Sequence, residues 1–409
     1  LSISLFAHAQ QPLPSLSAAA ALGQSLYEQS GATGMVMVIV RGQQVYFQGY
    51  GETAPHSGQT PTAESFLRLC SLSKSFAGDL LVKLTLAKTV KLEDPLELYA
   101  PPHKLVPLRD NHIITLRNLA THTAGLPREQ PSPGGVPHFT FPNFQQRWAW
   151  LPHYHLRFAP GTQALYSNVG FDLLGDALAS AASRPYPQLL AELTLSPLGM
   201  TESTFDPTPE QCARLMITSR DEGPCTSTVA TAASSGLYST AKDVTQWLKY
   251  LLGTGTPMLP AQPGAAEYAY LKPDELLRVV GLEHAGIPSG ISLGWVHTQP
   301  LDSEGEIIEK TGGGAGYLTY IALNQPHHTG IFIAATDGHR PRVNIFKGAN
   351  EILLAMAGLP PLPPEPIAPA PIRRSRPRHP AGHAESAHRS AAKQTRPPAP
   401  PKRKQHRKP

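Results

Sequence analysis

The run Gly34-Met-Val-Met-Val-Ile-Val40 is apolar without a break; Arg41-Gly42 interrupts it, and Val45-Tyr-Phe47 resumes it. Two β-strands joined by a short turn account for this pattern. The next apolar stretch, Phe66-Leu-Arg-Leu-Cys70, reads as a strand-like approach to something different. From Ser71 to Leu86 the period lengthens, and Phe76, Leu80, Leu81 and Leu84 fall on one side of a helix. A helix start is expected over Ile114–Leu119, with Thr115 as its cap, and further helices over Phe171–Ala182 and Asp243–Leu252. Short strands return at Gly290–Val296, Ile307–Lys310, Tyr317–Leu323 and Gly330–Ala335, before a closing helix at Val343–Met356.

Strands at both ends and helices between them predict an α+β chain. One sheet is assembled from N- and C-terminal segments, and a mainly helical domain is inserted in it. We place the sheet domain at residues 10–66 plus 285–358 and the helical domain at 67–284.

Composition alters this picture at the two ends. From Pro361 onward there are 12 Lys and Arg against two acids, Glu365 and Glu385. The preceding body holds 23 basic and 28 acidic residues, so the net charge of +5 hides a mildly acidic body and a strongly basic tail. Residues 359–409 lack aromatics and have few aliphatics, which predicts a disordered, Pro-rich cationic tail. Such a tail is either a solvated linker or an adhesive for anionic envelope polymers or lipid head groups. At the other end, the apolar stub Leu1–Phe6 followed by Ala7-His8-Ala9 resembles the end of a signal peptide cut after Ala9. Export to the periplasm is therefore expected, and nucleic acid is disfavoured as a partner. No run of 18 apolar residues suggests a membrane span. In an exported chain, Cys212 and Cys225 can close a small loop as a disulfide, while Cys70 reads as a small buried residue.

Candidate chemistry begins at Ser71-Leu-Ser-Lys74. On a helix, residues three apart share a face, so Lys74 can reach the Ser71 hydroxyl. An alcohol is a weak nucleophile until a neighbour takes its proton, and an amine can do so once its pKa is lowered. Ser239–Lys242 and Ser390–Lys393 repeat the pattern, but only Ser71 opens a long amphipathic helix directly after a strand. Tyr166-Ser-Asn168 is the one Tyr-x-Asn of the chain. Its phenol can pass a proton, and its amide can both donate to and accept from a substrate amide. Lys310-Thr-Gly312 opens a Gly-rich run on a late strand, where a substrate backbone can lie close. A phosphate loop is excluded there, because its Lys follows the glycines rather than preceding them. His122, in Thr-His-Thr, invites a Ser-His-Asp reading, but no Gly-x-Ser-x-Gly elbow presents a serine to it. The 17 His include no His-Glu-x-x-His, so no metal and no cofactor is expected.

Ser-x-x-Lys, then Tyr-x-Asn, then Lys-Thr-Gly, in that order, resembles the class C β-lactamase family and its low-molecular-weight penicillin-binding relatives. The segments Ile114–Pro127, Leu198–Phe205 and Ser235–Asp243 share that resemblance. Gly31–Met35, Tyr99–Pro102, Leu126–Pro131 and Lys310–Gly314 narrow it to the D-alanyl-D-alanine carboxypeptidase/endopeptidase branch. The resemblance runs from about Gly31 to Leu359 and implies a serine β-lactamase/DD-peptidase fold with an antiparallel sheet.

It also implies roles. Ser71 is acylated, and Lys74 and Tyr166 share the proton work. Asn168 contacts the substrate amide, Lys310 and Thr311 hold its carboxylate, and Gly312 lies along it. The N–H groups of Ser71 and Gly313 form the oxyanion hole, and Gln130 borders the site. The implied partners are peptidoglycan stem peptides and β-lactams. Turnover as a β-lactamase, turnover as an esterase, and a non-catalytic wall-binding module stand as alternatives.

Overall fold

The apolar run after Gly34 has no polar alternation because both faces of its strand are covered. In the computed structural model, Val36, Val38 and Val40 point to one side, against Phe76, Trp247 and Leu248, and Met35, Met37 and Ile39 point to the other, against Leu26, Ile345 and Leu353. Alternate residues of a strand face opposite ways, so a strand between two apolar layers becomes continuously apolar. The structure describes residues 15–131, 140–220, 223–255, 266–314, 316–336 and 344–362. The expected signal segment 1–9 lies outside them, and so does the tail beyond residue 362.

The strands, in chain order, are β1 (Gly34–Arg41), β2 (Gln44–Gly51), β3 (Phe66–Arg68), β4 (Ala164–Leu165), β5 (Tyr238–Thr240) and β6 (Val279–Val280). They continue with β7 (Pro288–Ile291), β8 (Val296–Thr298), β9 (Ile307–Gly314), β10 (Tyr317–Asn324) and β11 (Thr329–Thr336). Among the described residues, seven of them form one sheet in the order β2-β1-β11-β10-β9-β8-β7. Every neighbouring pair in it is antiparallel. The N-terminal hairpin therefore docks onto β11, with Gly34 opposite Thr336 and Arg41 opposite Thr329. Helices Ala18–Ser30 and Ile345–Ala357 cover the outer face. Helices Ser73–Leu86 and Ala241–Leu251 lie in the layer on the inner face.

The helix starts follow local chemistry. Thr115 caps Leu116–Ala120 in a reciprocal box with Asn118. Thr240 caps Ala241–Leu251, which makes Ser239–Lys242 a strand-to-helix junction rather than a second reactive pair. Among the described residues no helix is long and apolar enough to cross a membrane.

One expected strand is wrong. Gly290–Val296 is not continuous: β7 and β8 form a hairpin that turns through Ser292–Trp295. Gly294 sits there at φ +86°, and a Cβ on it would meet the Lys74 carbonyl oxygen at 2.5 Å. A Cβ on Gly78 would come within 1.9 Å of the Leu293 carbonyl. The turn is thus pressed into the helix that carries Lys74, and two glycines make room for it.

Cys212 and Cys225 form a disulfide. Arg68 holds the same loop, donating to the carbonyls of Gly223 and Pro224 and to the Tyr238 hydroxyl. Closing a loop of this length restricts the unfolded chain by about 3 kcal/mol. We expect Cys212→Ser to lose about that much in urea unfolding. A midpoint identical to the parent's would show that the bridge contributes nothing.

Candidate active site

Ser71 stands at the junction of β3 and the Ser73–Leu86 helix, in a short 3-10 turn over Cys70–Leu72. Cys70 turns the chain at φ +51°, an uncommon conformation for a side chain with a Cβ. Ser71 is 7% exposed and Lys74 is fully buried. Lys74 Nζ donates to Ser71 Oγ at 3.3 Å, to Asn168 Oδ1 at 2.6 Å and to the Ser234 carbonyl at 2.6 Å. The Tyr166 hydroxyl donates to Ser71 Oγ at 2.6 Å. An alcohol, an amine and a phenol separated by up to 95 positions in sequence therefore share one point.

Tyr166 and Asn168 are placed by a cap. Ser167 Oγ accepts from the Gly170 N–H and donates to the Pro127 carbonyl at 2.6 Å. Asn168 then opens the Asn168–Ala182 helix, its N–H bonded to the Arg128 carbonyl. This stitch brings the loop around Arg128 against the Tyr-x-Asn element. His122 supports the arrangement from behind. Its ring stacks on Tyr166 at 4.6 Å and its Nδ1 accepts from the Ser167 N–H. Burial, then the charges of Lys74, Lys310 and Arg128, hold His122 well below the ordinary histidine range, so it stays neutral and structural.

Lys310 and Thr311 lie on β9, which continues through the glycines to Gly314. Lys310 is 2% exposed; its Nζ donates to the Thr311 carbonyl at 3.0 Å and sits 5.4 Å from the Tyr166 ring centre. Lys74 and Arg128 lie at 4.8 and 4.7 Å from the same ring, so three cations surround one phenol. Burial pulls Lys74 down to about 7, against the opposing pull of Asp172 and Glu129. Burial lowers Lys310 as well.

Two cavities flank Ser71. One, of about 340 Å³, is lined by Arg128, Glu129, Gln130, Asn168 and Gly313 among others. The second, of about 330 Å³, is lined by Arg128, Tyr166, Thr311, Gly312 and Gly313. All the residues expected at the site lie in this region. Gln130 lines the first cavity, with its Oε1 buried and without a hydrogen-bond partner among the described residues.

Sequence reasoning missed Glu129 and Arg128. The Asn168 amide donates to Glu129 Oε1. Arg128 borders both cavities. Their signal was available in the run Arg128-Glu129-Gln130, but only Gln130 was read as facing the site. Among the described residues no group of His, Cys, Asp and Glu is placed to hold a metal ion.

A serine alcohol in reach of a buried amine and a phenol, on an α+β frame, is the equipment of a serine hydrolase. The chain belongs to the β-lactamase family, whose profile matches residues 18–384. It is 40% identical over 363 residues to the D-alanyl-D-alanine-carboxypeptidase/endopeptidase AmpH of Escherichia coli (strain K12), covering 87% of this chain and 94% of that protein. It is 25% identical over 361 residues to a β-lactamase of Pseudomonas fluorescens, covering 81% of this chain and 96% of that one. The crystal structure of a β-lactamase/D-alanine carboxypeptidase from Yersinia pestis superposes with a TM-score of 0.78 at 36% identity, covering 84% of this chain and 99% of that one. A class C β-lactamase shares the fold, with a TM-score of 0.68 at 21% identity, covering 82% of this chain and 95% of that one.

Proposed function

We propose that this protein is an exported, periplasmic D-alanyl-D-alanine carboxypeptidase/endopeptidase that acts on peptidoglycan peptides and is acylated by β-lactams. One observation carries the reading: Ser71 Oγ lies within hydrogen-bond distance of both Tyr166 and Lys74, at the seam of two cavities. The similarity to AmpH and to the Yersinia enzyme supports the substrate class. The disulfide supports an oxidising compartment. The excess of cations after Pro361 supports a role for the tail in holding the enzyme to anionic envelope polymers.

In this reading Ser71 Oγ bonds to the carbonyl carbon of the penultimate D-Ala. The Ser71 proton passes to Tyr166 and Lys74 and then to the departing amine of the terminal residue, as that C–N bond breaks. Water cleaves the resulting ester and restores Ser71. The N–H groups of Ser71 and Gly313 face the developing oxyanion, Asn168 meets the substrate amide, and Lys310 with Thr311 takes the terminal carboxylate.

D-Ala release from a pentapeptide muropeptide, measured beside nitrocefin turnover, tests the assignment. Release with slow nitrocefin hydrolysis is expected. Fast nitrocefin hydrolysis without D-Ala release would make the enzyme a β-lactamase instead.

The proton work also predicts a pH profile. Lys74 must be unprotonated to accept a proton, and its pKa is lowered from the usual lysine range to about 7. The second-order rate of acylation by a penicillin should therefore rise about tenfold per unit below pH 7 and level off above it. A profile flat from pH 5 to pH 9 would remove Lys74 from the proton path.

A further inference from the structure

The steps above leave Asp172 without a task, yet its carboxylate stands directly behind them. It lies four residues beyond Asn168 on the same helix, so the two side chains share a face. Asp172 Oδ1 accepts from the backbone N–H of Ser234 at 3.2 Å, and Oδ2 from Thr231 Oγ1 at 3.5 Å. The carbonyl of that same Ser234 accepts from Lys74 Nζ at 2.6 Å. Ser234 is fully buried and belongs to a tight turn in which Ser234, Ser235 and Gly236 all donate to the Thr231 carbonyl, so it has little freedom to move. The acceptors of Lys74 are thus the residue that Asp172 pins, the Asn168 amide one helical turn away, and the reactive hydroxyl itself.

Asp172 feels two cations, Arg147 first and then Lys74, and the two are held differently. Arg147 spends its guanidinium on Asp176, at 3.0 and 2.7 Å, and on two backbone carbonyls. The carboxylates acting on Lys74 are Asp172 and Glu129, and Glu129 is exposed and engaged by Asn168. Cys70 adds to the pull of the carboxylates, Arg128 and Lys310 oppose it, and the Tyr166 ring lies 4.8 Å from Lys74 Nζ with the neutral His122 ring stacked behind it. On its far side Asp172 faces Arg147, Asp176 and the Tyr186 hydroxyl. Burial raises Asp172 to about 7, so it and Lys74 titrate in the same range and each favours the charged form of the other.

We propose that Asp172 is a positioning residue for acyl transfer: it fixes Ser234 as an acceptor for Lys74, and its negative charge keeps the proton on Lys74 until substrate arrives. The inference rests on the reading of Lys74 as a proton acceptor. It adds that the pH at which the amine becomes free is set from behind the site, by a residue that touches neither Ser71 nor substrate. Removing the negative charge must release the Lys74 proton more easily, so the acid limb of the rate profile must move down in pH.

The test is the acylation rate with a fluorescent penicillin from pH 5 to pH 9, with kcat and KM for D-Ala release beside it. Asp172→Asn retains the shape and an acceptor for the Ser234 N–H. It should shift the acid limb lower by about one unit, with KM unchanged and the plateau within about threefold of the parent. Asp172→Glu, which restores the charge, should move the limb back up. An Asn variant whose limb superposes on the parent's while all rates fall evenly would make Asp172 merely structural and overturn the proposal. If circular dichroism shows the Asn variant unfolded, Asp172→Glu and Asp172→Gln are compared instead, and coincident limbs in that pair overturn it equally. A parent protein that is not acylated at any pH sinks both this inference and the function it rests on. A parent with an acid limb that no variant moves sinks this inference alone.

Discussion

Ser71→Ala should abolish the covalent penicillin adduct and lower D-Ala release by at least about 10⁴-fold while leaving the fold intact. The size of the loss follows from the chemistry. Without the hydroxyl there is no ester intermediate, and what remains is water attack helped only by the oxyanion donors and by binding. The stability of the fold follows from the surroundings. Lys74 keeps its bonds to Asn168 and Ser234, and the Tyr166 hydroxyl borders a cavity that water can enter. The expected change in unfolding free energy is therefore within about 1 kcal/mol. Intact-mass measurement after penicillin treatment, with a melting curve beside it, reads both quantities. An adduct that persists in the Ala variant would place the nucleophile elsewhere, and Ser239 of the strand-to-helix junction would be the first residue to map.

The same Ser71 shows what was legible in the sequence. Ser-x-x-Lys, Tyr-x-Asn and Lys-Thr-Gly are short patterns on elements whose periodicity is strong, so their positions on a helix start, a cap and a strand can be read from local residues. Their convergence is not local. It depends on contacts such as Tyr166 to Ser71, 95 residues apart, and Thr319 to Leu69, 250 apart, which no window contains. Glu129 and Arg128 have no local signal beyond their neighbour Gln130; what holds them at the site is a pair of contacts across 40 residues, the Ser167 hydroxyl on the Pro127 carbonyl and the Asn168 N–H on the Arg128 carbonyl. Asp172 is one acid on a helix of mostly small and apolar residues, and only the placement of Ser234 between it and Lys74 gives it meaning. The hairpin at Gly294 was read as one strand because its flanks are apolar. The one turn signal is Gly294 at φ +86°, a single glycine in an apolar run, and the helix packed on it leaves no room for a side chain there. His122 shows the opposite case, a suggestive residue whose bonds turn out to be supporting ones.

Gly312→Ala should cost about 2 kcal/mol of stability and about 100-fold in D-Ala release, although Gly312 offers no functional group. A Cβ at this position would lie 2.1 Å from Thr319 Oγ1, 2.9 Å from the Leu69 carbonyl oxygen and 3.0 Å from Leu72 Cδ1. Thr319 is fully buried and its hydroxyl donates to that same Leu69 carbonyl at 2.9 Å. It ties β10 to the turn that presents Ser71. The added methyl must either break this bond or push β9 away from the turn, and either movement separates Lys310, Thr311 and Gly313 from the nucleophile. Gly314→Ala serves as the control, because a Cβ there meets nothing within 4 Å. Its stability should stay within about 0.5 kcal/mol of the parent's. Thr319→Ala removes the atom nearest the clash, so the Gly312→Ala/Thr319→Ala pair should lose less stability than the two single changes added together. A Gly312→Ala enzyme with the parent's kcat/KM would mean that the strand and the Ser71 turn need not meet for catalysis, and the seam between them would have to be assigned to folding alone.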